Sequence, residues 1–326
     1  MYFQFACPSC QKTLKVREEN AGSKVRCPYC HSTLTIKAPR AGGEPGDVMA
    51  PSDSHVLSEG PTSEVFSDTS MWSASGTEVS MLRSGTYAAV ATLVFFAVVI
   101  PFRDFLGNFS QMLLERGWVP YLLVYFGFWS AAILYFKSQK IARQKDSMLF
   151  DLLPVEIAED ITVRTAPQFL QHIRGLPTNP NESFLINRVL RALEHFRNLQ
   201  SSSEVADRLQ SQSEIDATAV ESSYTALKVF IWAIPILGFI GTVIGIGHAV
   251  SGLAGGPREE ILTTIAAGLA TAFDTTLLAL VMSLLVMFPT SSMQKSEEDL
   301  LNLVDEYCNE NLLKRLKDAG RGASQQ

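Results

Sequence analysis

Four long apolar runs interrupt an otherwise polar chain, at roughly Thr86–Phe102, Trp118–Phe136, Val229–Leu253 and Ile265–Phe288. A helix needs about 20 predominantly apolar residues to cross the hydrocarbon core of a bilayer, so each run predicts a transmembrane helix. The first is the shortest and ends beside Pro101. Between the second and third runs, Leu185, Val189, Leu193 and Phe196 recur at helical spacing. A polar helical register is expected to continue from Leu199 to Leu227. Breaks are expected at Pro154, Pro167 and the Gly175-Leu-Pro177-Thr-Asn-Pro180 stretch, with a helix start near Asn181-Glu-Ser. After Pro289, the apolar positions Leu300, Val304, Tyr307 and Leu312 predict an amphipathic helix. The fold class that follows is an all-α polytopic membrane protein with about four transmembrane helices and a helical insert.

The amino-terminal 40 residues break this pattern. Phe3, Phe5, Leu14, Val16, Val25, Leu34 and Ile36 alternate as short hairpin strands would, with a break at Asn20-Ala-Gly22. Around them lie Cys7-Pro-Ser-Cys10 and Cys27-Pro-Tyr-Cys30. Paired CxxC knuckles at this spacing supply four thiolates for tetrahedral zinc, and redox pairs or disulfides are the other reading. The segment resembles a small β zinc ribbon. His31 follows the last cysteine when four ligands are already present, and Cys308 stands alone as a packing residue. Basic side chains in the module permit contact with nucleic acid or acidic head groups, but no recognition helix or aromatic-basic interleaving accompanies them, and a docking or regulatory role fits better.

Composition sharpens the division. A formal charge of −6 beside a positive mean hydropathy implies segregated membrane and aqueous parts. Residues 41–82 are rich in Gly, Pro, Ser and Thr, acidic, and devoid of Lys and Arg, as a disordered tether would be. The chain thus reads as module 1–40, linker 41–82, two spans in 83–136, insert 137–228, two spans in 229–290 and tail 291–326. No signal peptide is expected ahead of the first span. Lys137, Lys140, Arg143 and Lys145 follow the second span with no intervening acid, so the positive-inside rule puts that side, both termini and the insert in the cytoplasm. No nucleotide fingerprint, nucleophile elbow or catalytic cluster appears; His172 and His195 read as surface or packing residues. An enzyme is not expected.

Two features carry candidate chemistry. Asp274 is the only ionisable residue within Ile265–Phe288, a costly placement that points to ion handling, a buried polar contact, or both. At 100° per residue it lies about 200° from Thr276 on a helix, with Thr271 and Thr275 on its own side, where they could satisfy it. The third span carries Pro235-Ile-Leu-Gly238-Phe-Ile-Gly241-Thr242-Val-Ile-Gly245, whose small residues allow close helix approach. Thr242 and Thr276 each lie about 16 Å from the outer edge of their spans, so antiparallel neighbours would level their hydroxyls. Threonines can also satisfy themselves on a carbonyl one turn earlier. His248 lies near the outer end of the third span, off the Thr242 face.

Pro235, Gly238, Gly241, Thr242, Val243 and Gly245 resemble the signature of the MotA/TolQ/ExbB proton channel family, and Ala272-Phe-Asp274-Thr275-Thr276-Leu-Leu-Ala279 resembles its next span. The similarity is strong over Val229–Pro289. Ala279 stands where members often carry glycine, Asp274 lies outside the general pattern, and the cysteine module is an addition. The resemblance implies an ion-channel and stator subunit of an inner-membrane motor, a homo-oligomer, expected to be a pentamer, around a single-span partner similar to ExbD, TolR or MotB. It implies an ion pathway through Thr242 and Thr276 and transported H+ or Na+; Asp274 and Thr275 are candidates for the same pathway from their place in the fourth span. The alternative is a zinc-bearing membrane scaffold or sensor that transports nothing.

Overall fold

A computed structural model describes residues 2–17, 23–30, 32–36, 80–177, 183–254 and 257–318. The chain divides into two compact units. The first comprises Met1–Ser75 with Asp146–Asp151, the second Gly76–Lys145 with Leu152–Gln326.

In the first unit, strands β1 (Tyr2–Ala6) and β2 (Thr13–Arg17) pair antiparallel with Phe5 opposite Leu14, and β3 (Lys24–Arg26) pairs with β4 (Thr33–Thr35) with Val25 opposite Leu34. Each hairpin carries one CxxC pair in its turn. Gln11, at φ 58°, closes the first knuckle. Leu14, Leu34 and Ile36 are buried together with Cys7, Cys27 and Leu149. The expected break at residues 20–22, His31 and most of the linker lie outside the described residues.

Among the described residues, the second unit contains four helices long and apolar enough to cross a membrane. The first, α1, spans Met81–Val99, starting and ending earlier than the apolar run suggested. Short helices α2 (Arg103–Leu106) and α3 (Asn108–Leu114) lead to α4 (Val119–Ser147). Helix α8 covers Thr225–Ser251 and α9 covers Arg258–Tyr307. The proline at 289 does not end α9: the helix runs on without interruption and presents Leu300, Leu301, Val304 and Tyr307 as a buried stripe. Up to Tyr307, the expected amphipathic helix is thus continuous with the fourth apolar helix.

The insert forms α5 (Ala166–Arg174), α6 (Phe184–Leu199) and α7 (Ser202–Ser223). The expected continuation through Leu199 is corrected here. Gln200 adopts the left-handed conformation at φ 56° and ends α6. Ser201 then caps α7 by accepting from the Glu204 N–H at 3.4 Å. A Ser-x-x-Glu pattern at a helix start competes well with helix continuation. Phe169, Ile173, Leu185, Val189, Leu193, Phe196 and Val205 form the buried apolar layer of these helices. Chain reversal at the carboxyl end is locked by Arg315, whose guanidinium donates to the carbonyls of Leu153 at 2.7 Å and Glu159 at 2.8 Å.

Candidate functional site

The α8–α9 contact sets the geometry of every membrane residue singled out above. A Cβ built on Gly245 would lie 2.6 Å from the Ala272 nitrogen and the Gly268 carbonyl, and one on Gly268 would lie 2.6 Å from the Ala249 nitrogen and the Gly245 carbonyl. Backbone meets backbone there, which only glycine permits. One and two turns along, Gly241 faces Thr275 and Gly238 faces Ala279. Thr275 is fully buried, and its hydroxyl turns back to the Thr271 carbonyl at 2.8 Å. Ala279 therefore takes the space that Gly238 leaves.

Pro235 lies inside α8. Lacking an N–H, it cannot bond the Ile231 carbonyl one turn earlier in α8, and an orphaned carbonyl in an apolar span is costly. Ser283 of α9 donates to that carbonyl at 3.3 Å. A helix defect is thus mended from the neighbouring helix.

Thr242 and Thr276 meet across the same interface, hydroxyl to hydroxyl. Each also faces a carbonyl on both helices: Thr242 lies 3.2 Å from the Gly238 oxygen and 3.3 Å from the Ala272 oxygen, while Thr276 lies 2.9 Å from Ala272 and 3.4 Å from Gly238. Two hydroxyl protons serve four oxygens, so the cluster has more acceptor than donor capacity. Such a group can accept from a protonated carboxyl or coordinate a cation while carrying no charge of its own. Cross-helix pairing and bonds to the carbonyl one turn earlier are present together.

Asp274 faces elsewhere. Its carboxylate accepts from Arg116 Nε at 2.7 Å, with both side chains partly exposed. Thr271 and Thr275, which helix geometry offered as partners, bond instead to carbonyls of α9 itself. A charged guanidinium is a far stronger partner for a carboxylate than a hydroxyl. Arg116 was missed because it lies 158 residues away in the turn before α4; an unmatched cation close to a span was the only available signal. His248 is exposed near the end of α8.

Two further charge clusters brace the unit. Lys137, read at the sequence level as one of four flanking cations, is buried: it donates to Glu297 at 2.9 Å and to Ser223 at 2.8 Å, and lies 4.0 Å from the Tyr224 ring centroid. The Tyr224 hydroxyl donates to the same Glu297 oxygen at 2.8 Å. In the insert, Arg188 donates to Asp216 at 2.8 Å and pairs with Asp305 of α9. Burial holds the His195 imidazole below its ordinary range and pushes the Cys308 thiol up to about 12, which leaves the latter an inert packing group.

In the first unit, the sulfurs of Cys7, Cys10, Cys27 and Cys30 all lie within 4.8 Å of one another. Cys7 to Cys30 and Cys10 to Cys27 are each 3.7 Å. A tetrahedron of Zn–S bonds near 2.3 Å places its sulfurs about 3.8 Å apart, so the donor set fits that ion. Burial opposes ionisation of Cys7, but the backbone N–H groups of Cys10 and Ser9 and the thiols of Cys27 and Cys10 outweigh it and bring that thiol down to about 6. At Cys27 burial dominates and pushes the thiol up to about 12.

Residues 179–306 match the model of the MotA/TolQ/ExbB proton channel family. The match runs from the start of α6 through α7 and α8 and nearly to the end of α9, beyond the strong similarity of Val229–Pro289. It leaves the cysteine module and the first two spans outside. Proteins of that family are channel and stator subunits rather than enzymes. No curated protein and no solved structure matches the chain.

Proposed function

We propose that this protein is the channel and stator subunit of an ion-driven motor in the bacterial inner membrane. It assembles as a homo-oligomer, a pentamer, around the single transmembrane helix or helices of a separate partner, with both termini and the insert in the cytoplasm. The observation that carries the reading is the Thr242–Thr276 cluster: two uncharged hydroxyls with spare acceptor capacity, joined across α8 and α9 inside the stretch that matches the channel family. A partner carboxyl that loads H+ or Na+ on one side and releases it on the other would exchange hydrogen bonds with this cluster at each step. Moving one charge through the membrane potential supplies about 2.3 kcal/mol per 100 mV, comparable to a few such polar contacts.

Asp274 then serves as a wall residue, its charge compensated within the chain by Arg116, and the moving carboxylate belongs to the partner. The cysteine cluster holds Zn2+ through Cys7, Cys10, Cys27 and Cys30; the ion would organise a module too small to bury a sufficient core alone. The test is co-reconstitution with a candidate single-span partner carrying a membrane aspartate. Gradient-driven ion flux that requires both chains and that aspartate is the expected result. A stable assembly that carries no ions under any gradient would instead support the zinc-bearing scaffold.

A further inference from the structure

The cysteine module has a neighbour within its own unit that the channel reading does not use. Residues Asp146–Asp151, which follow the basic flank of the second span in sequence, cluster with the module. Phe150 forms an antiparallel bridge with Leu14 of β2. Its ring stands edge-on to Tyr29 with centroids 5.0 Å apart and planes at 84°. Leu149 joins Cys7, Leu14, Cys27, Leu34 and Ile36 in one apolar cluster. Leu14, Leu149, Phe150 and Asp151 are all buried.

Two of these contacts are tied to the cysteines, one through the chain and one through packing. Tyr29 sits between Cys27 and Cys30, so the knuckle that holds the sulfurs also aims the ring. Cys7 and Cys27 lie in the same apolar cluster as Leu149, so two of the side chains that would hold the ion also form part of the surface on which Leu149 rests. A module of this size gains its order largely from the metal, and an unmetallated one would present neither surface in register.

We propose that the cysteine module is a metal-organised recognition surface whose ligand is the chain's own Leu149-Phe150-Asp151 segment. With the metal bound, β2 and Tyr29 hold the segment; without it, two large apolar side chains are released immediately downstream of the second span. The module thus converts metal occupancy into the exposure of one short sequence. The inference rests on the fit of the four thiolates to zinc and is independent of the ion-channel reading.

Hydrogen exchange by mass spectrometry on the full-length protein in detergent, with bound zinc counted in parallel, tests it. Zinc-loaded protein is expected to exchange slowly over residues 146–151, and removal of the ion with 1,10-phenanthroline to speed that segment at least tenfold while α9 is unchanged. Phe150→Ala, which leaves all four cysteines in place, is expected to retain one zinc per chain yet speed exchange around Leu14; Phe150→Tyr, which keeps the ring, is expected to restore it. The proposal is overturned if the purified chain holds no zinc, or if residues 146–151 exchange equally fast before and after demetallation. A rise throughout the chain also overturns it, since the effect would then be global unfolding.

Discussion

The α8–α9 pair and the helical insert hold their helices together by opposite means. At the first, glycines bring backbone onto backbone and the polar contacts are hydroxyls and carbonyls. In the second, Phe169, Leu185, Val189 and Phe196 form an apolar layer crossed by a buried arginine with two aspartates. The difference follows from solvent. Lipid tails are as apolar as leucine, so burying large side chains between spanning helices gains little, and close packing with a few hydrogen bonds must suffice. Where water is displaced, burying each large apolar side chain gains about 1.5–3 kcal/mol, which can carry the cost of burying a charged pair. The contrast also bears on the proposed function: an uncharged, acceptor-rich interface suits a transient proton or cation, whereas a buried ion pair suits a fixed joint.

The largest effect should come from crowding the backbone contact. Gly245→Val places carbon where neither Ala272 nor Gly268 can retreat; overpacking of this kind costs about 3 kcal/mol or more. The expected outcome is loss of a monodisperse peak on size exclusion. A well-assembled Gly245→Val protein would break the claim that α8 and α9 meet at backbone distance.

Next is the joint between α4 and α9. Glu297→Ala leaves Lys137 buried without its counter-charge and should destabilise the protein by about 3–5 kcal/mol. The double variant Lys137→Met with Glu297→Met should recover most of that loss in thermal denaturation. If the double variant is as unstable as the single one, the cluster does more than balance charge.

A smaller effect is expected at the partly exposed Arg116–Asp274 pair, where Arg116→Gln should cost about 1 kcal/mol. Exchanging the two residues, Arg116→Asp with Asp274→Arg, should restore the melting temperature. The smallest is Lys228→Ala at the exposed Glu221 contact, within about 0.5 kcal/mol and measurable only as a control.

How much of this was legible in the sequence depends on whether a feature is local. Apolar run length announced four spanning helices, and the knuckle spacing announced the cysteine cluster, because both are properties of short windows. Counting helical rise from the span edges brought Thr242 and Thr276 to one level, since both helices are regular and antiparallel. What escaped was non-local or context-dependent. Nothing near Asp274 in sequence names Arg116. Lys137 reads as a free basic flank until Glu297, 160 residues later, is seen to bury it. At Gln200 the signal was present in the Ser201–Glu204 cap, and the continuing register of polar residues hid it.

The most direct measurement compares ion flux with thermal stability in Thr242→Val, Thr276→Val and the double variant, each reconstituted with a candidate single-span protein carrying a membrane aspartate. Valine keeps the branched shape and removes the hydroxyl, so each side chain retains its volume in the α8–α9 interface. The account predicts flux falling by at least tenfold in each single variant, while oligomer size and melting temperature stay near those of the parent. Undiminished flux through a well-assembled double variant would contradict it.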